Sequence, residues 1–370
     1  MDHTAQLSGG QLAMARLIGG LHEQVDVQVV LGEDGPLVHA LQVAGADVVV
    51  MPIDRSAATL ARRDVALRSL PLVPAAKAAA HGWELARHLR RTRPDVVHLN
   101  TLKALFYGGV AARLAGRPAV WHARDRITPD YLPAGAVAVT RLAARTLPSF
   151  VIANSVATLS TLPLRRPHAV VPSPVDAAAF VTAAPPPGPL AVGMVGRIAP
   201  WKGQDVLLRA FALAFPGGDA SVRLIGAPLF GEEAYERRLH DLADELGIAG
   251  RVAFGGFSDD VPGELGRLHV LVHASVLPEP FGQVVVEGMA AGLPVVATRA
   301  GGPAEIVTEG RDGLLVAPGD AAELAGALRR LALDADLRSR LGAAARETAG
   351  RFRVEAVAGQ VMGIYAALAR

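Results

Sequence analysis

Apolar and polar positions follow one another in a regular order along the chain. Short runs of apolar, often β-branched residues are bounded by Gly, Pro or charged residues, a pattern typical of strands buried in parallel sheets. Stretches rich in Ala and Leu lie between these runs and indicate crossover helices. In the first half, the pattern predicts strands at 25–31, 47–51, 95–100, 119–123, 150–153 and 169–171, with helices at about 10–21, 37–44, 72–92, 103–115 and 133–147.

A second series of the same kind begins after a Pro-rich segment at 172–189, which has no periodicity and is interpreted as a linker. The second series predicts strands at 190–195, 221–225, 251–254, 270–274, 294–298 and 313–316. Its helices are predicted at 204–215, 232–246, 259–267, 283–291, 321–331, 335–350 and 354–369.

The two series predict an α/β fold of two doubly wound, Rossmann-like domains. The domains are expected at 1–171 and 190–352, and the last helix, at 353–370, is expected to cross back to the first domain. Ligands of such sheets bind beyond the carboxyl ends of the strands, so the expected site is the cleft between the domains. The first helix begins near Gly9 or Gly10 with no full strand before it, and we therefore expect the first strand to be missing or truncated.

Composition excludes several classes of protein. The 370 residues are 51% hydrophobic, yet no apolar run reaches the 18 or more residues that a membrane-spanning helix needs. The first residues lack the basic and apolar regions of a secretory signal, so the cytosol is the expected compartment. Because the chain has no cysteine, disulfides, thiolate catalysis and iron–sulfur clusters are ruled out.

Charge is distributed unevenly. The net charge of +2 predicts no nucleic-acid partner, but residues 1–184 carry 19 basic against 13 acidic residues, and residues 185–370 carry 18 against 22. Most of the basic excess lies at 55–93, which is expected to make weak contact with anionic lipid headgroups at the inner membrane face. A solvated helix face would give the same pattern. The basic residues of this stretch are Arg55, Arg62, Arg63, Arg68, Lys77, Arg87, Arg90, Arg91 and Arg93.

The most specific motif is Pro-Glu-Pro-Phe-Gly-Gln-Val-Val-Val-Glu-Gly at 278–288, directly after a predicted strand. A helix that begins near Gly282 would place Glu279 before its N-terminus and Glu287 in its second turn. Helix N-termini attract phosphate, and the two carboxylates could accept hydrogen bonds from a sugar on one side and a ribose on the other. A Pro-rich turn with a capping carboxylate is the alternative.

A second motif, Gly-Met-Val-Gly-Arg-Ile-Ala-Pro-Trp-Lys-Gly at 193–203, brings two cations to the end of a predicted strand. Arg197 would end the strand and Lys202 would precede the next helix, so both could converge on a diphosphate. Two exposed surface cations remain the alternative. The run is not a Walker loop.

Together these motifs, with Gly-Leu-Pro-Val-Val-Ala-Thr-x2-Gly-Gly-Pro-Ala-Glu at 292–305, resemble retaining glycosyltransferase family 4, of the GT-B fold, from Thr4 onward. The resemblance implies a nucleotide-sugar donor held by the second domain. Arg197 and Lys202 would contact the diphosphate, Glu279 the donor sugar and Glu287 the ribose. Phe281, Gly282 and Gln283 would lie against the nucleotide.

In the first domain the resemblance implies roles for a glycine pair and a histidine. Gly9 and Gly10 match the family's glycine loop, which meets the diphosphate, and His122 matches the histidine near the reacting sugar. By themselves, a strand-end histidine is equally a structural hydrogen-bonding residue, and Ser8-Gly9-Gly10 is a good helix N-terminus. The family's Asn-Gly turn before the linker is replaced by Ser173-Pro174.

The sequence therefore predicts a metal-independent, retaining hexosyltransferase that needs no cofactor. Its partners would be a nucleotide sugar and a small-molecule, saccharide or lipid-linked acceptor. The one Asp-x-Asp, at 334–336, lies between two predicted helices, where a capping role is expected. Retention, as in the family, would proceed by front-face displacement, in which the leaving phosphate oxygen takes the acceptor's proton. Two other functions stay open: a GT-B epimerase or phosphorylase, and a two-lobed sugar-binding protein without chemistry.

Overall fold

The computed structural model describes residues 1–53, 72–180, 186–229 and 231–369, without the side chains of 72–79. The predicted membrane contact at 55–93 therefore falls partly outside the described residues, which exclude Arg55, Arg62, Arg63, Arg68 and the side chain of Lys77. The chain divides into two compact units, one formed by Met1–Pro174 with Val354–Arg370 and the other by Val175–Arg353. Among the described helices, none has the length and apolar character needed to cross a bilayer.

The first unit carries parallel strands connected by helices, as the sequence predicts. Strands β1 and β2 pair with each other, and β3 to β6 form a sheet in the order β3-β4-β5-β6. Capping side chains define two helix starts, because Thr101 accepts a hydrogen bond from the Ala104 amide and Ser155 from that of Thr158. The elements are α1 Gly9–Leu21, β1 Gln28–Leu31, α2 Pro36–Val43, β2 Asp47–Val50, α3 Leu72–Thr92, β3 Val97–Leu99, α4 Leu102–Leu114, β4 Ala119–Ala123, α5 Ala134–Thr146, β5 Phe150–Ala153, α6 Val156–Leu159 and β6 His168–Val170.

The first residues of the chain occupy a strand position that the sequence analysis left open. The Asp2 amide donates to the Val30 carbonyl at 3.1 Å, and the Asn100 amide donates to the Met1 carbonyl at 3.0 Å. Residues 1–3 thus run between β1 and β3 and bond to both. No regular strand forms there, because Asp2 makes a single isolated bridge with Leu31, and three residues are too few to show an apolar run.

The second unit is a single parallel sheet in the order β12-β11-β10-β7-β8-β9. Its core holds large side chains from the strands and from the helices that cover them, among them Phe211, Leu207 and Val272. The elements are β7 Ala191–Val195, α7 Gln204–Ala214, β8 Ser221–Ile225, α8 Glu233–Glu245, β9 Val252–Gly256, α9 Val261–Leu265, β10 Val270–His273, α10 Gln283–Ala290, β11 Val295–Thr298, α11 Pro303–Ile306, β12 Leu314–Val316, α12 Ala321–Leu333 and α13 Ala335–Ala349.

Two connections complete the fold. The last helix, α14 (Val354–Leu368), belongs to the first unit, where Val357 and Val361 are buried against α1 residues including Leu17. The segment predicted as a linker begins within the second unit, because Val175 and Phe180 are buried in its core and the Val175 amide bonds to the Phe352 carbonyl. Pro-rich sequence concealed these isolated apolar anchors, which have no periodicity to mark them.

Candidate active site

In the second unit, the residues of both motifs lie beyond the carboxyl ends of central strands. The turn after β7 reaches back to β10 through Gly203, which has a positive φ of 78°. A Cβ at Gly203 would lie 2.1 Å from the Ala274 carbonyl oxygen, so only glycine fits this close approach. The turn thereby carries Lys202 towards Glu279.

Lys202 and Glu279 form an ion pair in a largely buried setting. The Lys202 Nζ lies 2.7 Å from Glu279 Oε1, and the two side chains are 14% and 9% exposed. The same oxygen accepts hydrogen bonds from His273 Nε2 at 2.9 Å and from the Ser275 hydroxyl. Every contact described for this carboxylate falls on Oε1, so Oε2 is the oxygen through which it could accept a further hydrogen bond.

The surroundings of Glu279 hold it ionised. Burial by itself would raise the pKa of this carboxyl, but the charge of Lys202 and the interactions with His273 outweigh burial and bring the pKa well below its ordinary value. The other ring nitrogen of His273 also has a partner, because its Nδ1 lies 3.2 Å from the Thr298 hydroxyl at the end of β11. The sequence analysis missed His273, Ser275 and Thr298. His273 could have been predicted, because it is a polar residue at the end of the otherwise apolar run Val-Leu-Val-His.

Arg197 and Lys202 are placed around one aromatic ring. The guanidinium carbon of Arg197 lies 5.6 Å from the centre of the Trp201 ring, and the Lys202 Nζ lies 4.5 Å from it. Both distances are within the range of a cation–π contact. The Arg197 Nε lies 3.4 Å from a carboxylate oxygen of Glu232. The predicted pair of cations is thus brought together, and each cation has a carboxylate partner.

The loop that carries Glu279 packs closely on the segment after β11. The Gly302 amide donates to the Glu279 carbonyl at 2.9 Å, and a Cβ at Gly302 would lie 2.2 Å from the Phe281 carbonyl oxygen. Gly282, with a φ of 98°, then starts α10. As predicted, Glu287 lies in the second turn of this helix, where its Oε1 is 3.4 Å from the Gln283 side-chain nitrogen.

Phe281 differs from the sequence expectation. Its side chain is buried in the core of the second unit, with its ring centre 5.8 Å from that of Phe352. An aromatic ring gains more from this burial than from exposure at a loop. Only the backbone of Phe281 is therefore left at the start of α10.

In the first unit, His122 lies on β4 and is fully buried. Its Nδ1 is 3.3 Å from Nη2 of Arg124, and its ring centre is 5.3 Å from that of His98. Burial, followed by the positive charge of Arg124, lowers the pKa of His122 well below its ordinary value. His122 is therefore a neutral, enclosed imidazole rather than an exposed one.

The glycine pair starts α1, as predicted, with Ser8 in the N-cap position. Nothing lies within 4 Å of a Cβ placed on Gly9, so this face of the turn is open. The turn is tied to β3 because the Asn100 side chain donates to the Gly10 carbonyl at 3.4 Å and to the Asp2 carboxylate at 2.8 Å. Asp2 and Asn100 were not predicted, because they come from separate parts of the sequence, and Arg124, two residues after His122, was given no role.

No group of three or more His, Asp or Glu side chains comes together as a metal-binding set within the described part of the chain. The only Asp-x-Asp has the predicted capping role. Asp334 is the N-cap of α13 and accepts a hydrogen bond from the Leu337 amide at 2.7 Å.

Two family models match the chain on either side of residue 179. Residues 8–179 match the model for glycosyltransferase family 4, and residues 179–348 match the model for glycosyl transferases group 1. The chain is also similar to the crystal structure of Anabaena HepE in complex with UDP and glucose. The two share 28% sequence identity and a TM-score of 0.85, and the match covers 99% of this chain and 98% of HepE.

Curated relatives match over part of their length. The lipopolysaccharide core biosynthesis glycosyltransferase LpsE of Rhizobium meliloti is 37% identical over 174 residues, which is 47% of this chain and 48% of LpsE. A D-inositol 3-phosphate glycosyltransferase of Stackebrandtia nassauensis is 38% identical over 186 residues, 49% of this chain and 42% of that protein. The matches thus span about half the length of these relatives.

Two Rossmann-like units with parallel sheets, each with polar side chains beyond the carboxyl ends of its strands, define the GT-B class of glycosyltransferase. Within that class, the two matched models together span residues 8–348. The chain belongs to the family 4-like glycosyltransferases.

Proposed function

We propose that this protein transfers a hexose from a nucleoside diphosphate sugar to a hydroxyl acceptor, with retention of anomeric configuration and without a metal ion. The bond between the sugar C1 and the diphosphate oxygen breaks, and a bond from C1 to the acceptor oxygen forms on the same face. The acceptor proton passes to the departing phosphate oxygen. The products are the glycosylated acceptor and the nucleoside diphosphate, and no cofactor is required.

The observation that carries this proposal is the convergence of Lys202, Arg197 and Glu279 at the carboxyl edge of the second sheet. A departing diphosphate gains negative charge as its bond to C1 breaks. Fixed cations stabilise that charge without having to reorganise. Arg197 offers a planar set of donors and Lys202 a point charge, and the N-terminus of α10 adds partial positive charge.

The two carboxylates have separate roles in this proposal. Glu279 stays ionised, and its Oε2 accepts a hydrogen bond from a hydroxyl of the donor sugar, while Oε1 is held by Lys202, His273 and Ser275. Glu287, one turn further along α10, accepts hydrogen bonds from the ribose hydroxyls. For the first unit we propose that His122 acts on the donor sugar, and Gly9 and Gly10 on the diphosphate.

Support for the donor comes from the structural relatives. HepE, 28% identical to this chain, has been crystallised with UDP and with UDP-glucose. UDP-hexoses are therefore the donors to test first. Calorimetric titration and thermal shift with UDP, GDP and ADP in excess EDTA test both the base and the absence of a metal requirement. A ligand at 100 times its dissociation constant raises the free energy of unfolding by about 2.7 kcal/mol. UDP binding that needs magnesium or manganese would contradict the metal-free mechanism.

The acceptor is proposed to be a small molecule, a saccharide or a lipid-linked sugar, reached at the cytoplasmic face of the membrane. Helix α3 supports a membrane contact, because Trp83 is 50% exposed and the Arg90 guanidinium lies 5.3 Å from its ring. Such pairs suit the boundary between lipid headgroups and acyl chains.

Vesicles test this contact. Cosedimentation with phosphatidylglycerol vesicles should weaken with added salt and with the triple variant Trp83→Ala, Arg90→Ala and Arg91→Ala. Phosphatidylcholine vesicles serve as the uncharged control. Binding that ignores both salt and the substitutions would show that α3 is an ordinary solvated face.

A further inference from the structure

The side chain of Arg124 connects four segments of the first unit. Its Nε donates to Asn100 Oδ1 at 2.9 Å, its Nη1 donates to the Ser173 hydroxyl at 3.0 Å, and its Nη2 lies 3.3 Å from His122 Nδ1. A Cβ placed on Gly10 would lie 3.3 Å from the Arg124 Cδ. Arg124, which follows β4, therefore contacts the residue after β3, His122 on β4, the segment after β6 and the glycine turn of α1.

This geometry determines how His122 carries its proton. A guanidinium has donors and no acceptor, so the Nδ1 that faces Nη2 has to accept. In a neutral imidazole only one nitrogen carries hydrogen, so an accepting Nδ1 leaves the proton of His122 on Nε2, a buried nitrogen with no described partner. The Val171 carbonyl also interacts with the ring and favours its charged form. A protonated ring would turn an N–H of His122 against an N–H of Arg124 in a buried setting.

We propose that Arg124 is a positioning residue that holds His122 as the neutral Nε2–H tautomer and ties it to the glycine turn at Gly10. This rests on the proposed function only for its catalytic consequence, which is that His122 presents a fixed N–H donor to the donor sugar. A triad aspartate that fixes a histidine tautomer for catalysis is a known precedent on other folds. Here a cation performs the same orienting task by donating instead of accepting.

The other charged and titratable groups around the ring fit this arrangement. His98 approaches from β3, and its Nδ1 lies 2.6 Å from the hydroxyl of Tyr365 on α14. The Asp2 carboxylate lies behind Asn100, whose side-chain nitrogen is 2.8 Å from it, and Asp125 follows Arg124 in the sequence. Both carboxylates favour the charged form of Arg124, although burial lowers the pKa of that guanidinium to about 10.

The test is the ring nitrogen spectrum of ¹⁵N-labelled protein, with His122→Gln used to assign the His122 signals among the 11 histidines. The wild type should show the Nε2–H tautomer without titration between about pH 5 and 8. Arg124→Met should give a mixture of tautomers or a titrating ring. Arg113→Met is the matched control, because Arg113 is an exposed residue of α4 that donates to the Thr146 carbonyl.

Kinetics supply the second measurement. Arg124→Met should lower kcat by about tenfold or more, with the KM for donor little changed, since His122 loses its orientation rather than its place. Arg124→Lys keeps the charge without the planar set of donors, so its kcat should lie between those of the wild type and Arg124→Met. If Arg124→Met does not fold, Arg124→Lys replaces it. A wild-type His122 protonated on Nδ1, or a variant with unchanged tautomer and titration, would overturn the proposal. Because the spectra need no substrate, they remain decisive if the proposed transfer reaction fails.

Discussion

The polar clusters of the two units lie at equivalent places, beyond the carboxyl ends of parallel strands, yet they handle charge in opposite ways. In the second unit, Lys202 and Glu279 form an ion pair, and the pKa of Glu279 lies well below its ordinary value in spite of burial. In the first unit, burial next to a cation keeps His122 neutral. The second cluster is therefore suited to stabilising charge that develops during a reaction, and the first to presenting a hydrogen bond of fixed direction.

The largest expected effect is that of Lys202→Gln. Removing one preorganised stabiliser of the leaving group should lower turnover by roughly 100-fold to 1000-fold, measured as UDP release from a UDP-hexose. Arg209→Gln is the control, because Arg209 is a surface residue of α7 that forms an ion pair with Asp205 on the same helix. Turnover within twofold of wild type in a folded Lys202→Gln variant would remove the main functional distinction between the clusters.

Arg197 sharpens the same comparison. Arg197→Ala should cost turnover and weaken inhibition by free UDP, and Arg197→Lys should restore only part of both, because a point charge cannot reproduce a two-pronged contact. The expected loss for Arg197→Ala is about 100-fold in turnover. Full activity in Arg197→Lys would show that charge alone matters at this position.

These two residues could be singled out from the sequence, and the reason is local. Arg197 and Lys202 lie on one turn, and Glu279 and Glu287 are separated by one helix start, so their spacing could be read directly. The structure adds Trp201, on the same turn as Lys202, and His273 and Thr298, which meet Glu279 and each other from the ends of β10 and β11. Alternating apolar runs predicted most helices and strands for the same local reason.

The first unit was less accessible to sequence reasoning. His122 could be singled out only by resemblance, since its neighbour Arg124 is bonded to Asn100 and Ser173, which reach it through tertiary packing. The contacts of residues 1–3 with β1 and β3 and the buried anchors Val175 and Phe180 were not predicted because each depends on a few residues without periodicity. The order of apolar and polar residues does not indicate which side chains of such a short segment will be buried by the rest of the fold.

A smaller effect is expected from Glu287→Gln. Loss of a hydrogen bond to a charged acceptor should weaken UDP binding by about tenfold, measured by calorimetry, with less change in kcat than Lys202→Gln causes. Glu347→Gln, an exposed change on α13, is the control. Wild-type affinity for UDP in Glu287→Gln would contradict the ribose contact.

The smallest expected effect is a difference in how the stability of the His122 and Glu279 clusters depends on pH. The pKa of His122 is depressed in the folded state, so the unfolded chain binds more protons as pH falls through the ordinary value of 6.5 and folding weakens. The expected loss is about 1 kcal/mol between pH 7 and about 5.5. The contribution of Glu279 is fully present above its ordinary pKa of 4.5 and is lost only as pH falls below that towards its lowered pKa. The opening free energy from hydrogen exchange, corrected for the intrinsic exchange rate at each pH, should therefore fall in β4 before β10, and His122→Gln should reduce the difference. Equal responses of the two strands would contradict the contrast in charge.

The most direct test of the central claim is the anomer released when the protein slowly hydrolyses UDP-glucose and related UDP-hexoses in excess EDTA, followed by proton NMR. Metal-independent transfer with retention predicts that UDP and the α-hexose appear first and that Lys202→Gln abolishes both signals. Release of the β-anomer first, recovery of activity only with added magnesium or manganese, or no hydrolysis of any UDP-hexose would contradict the account.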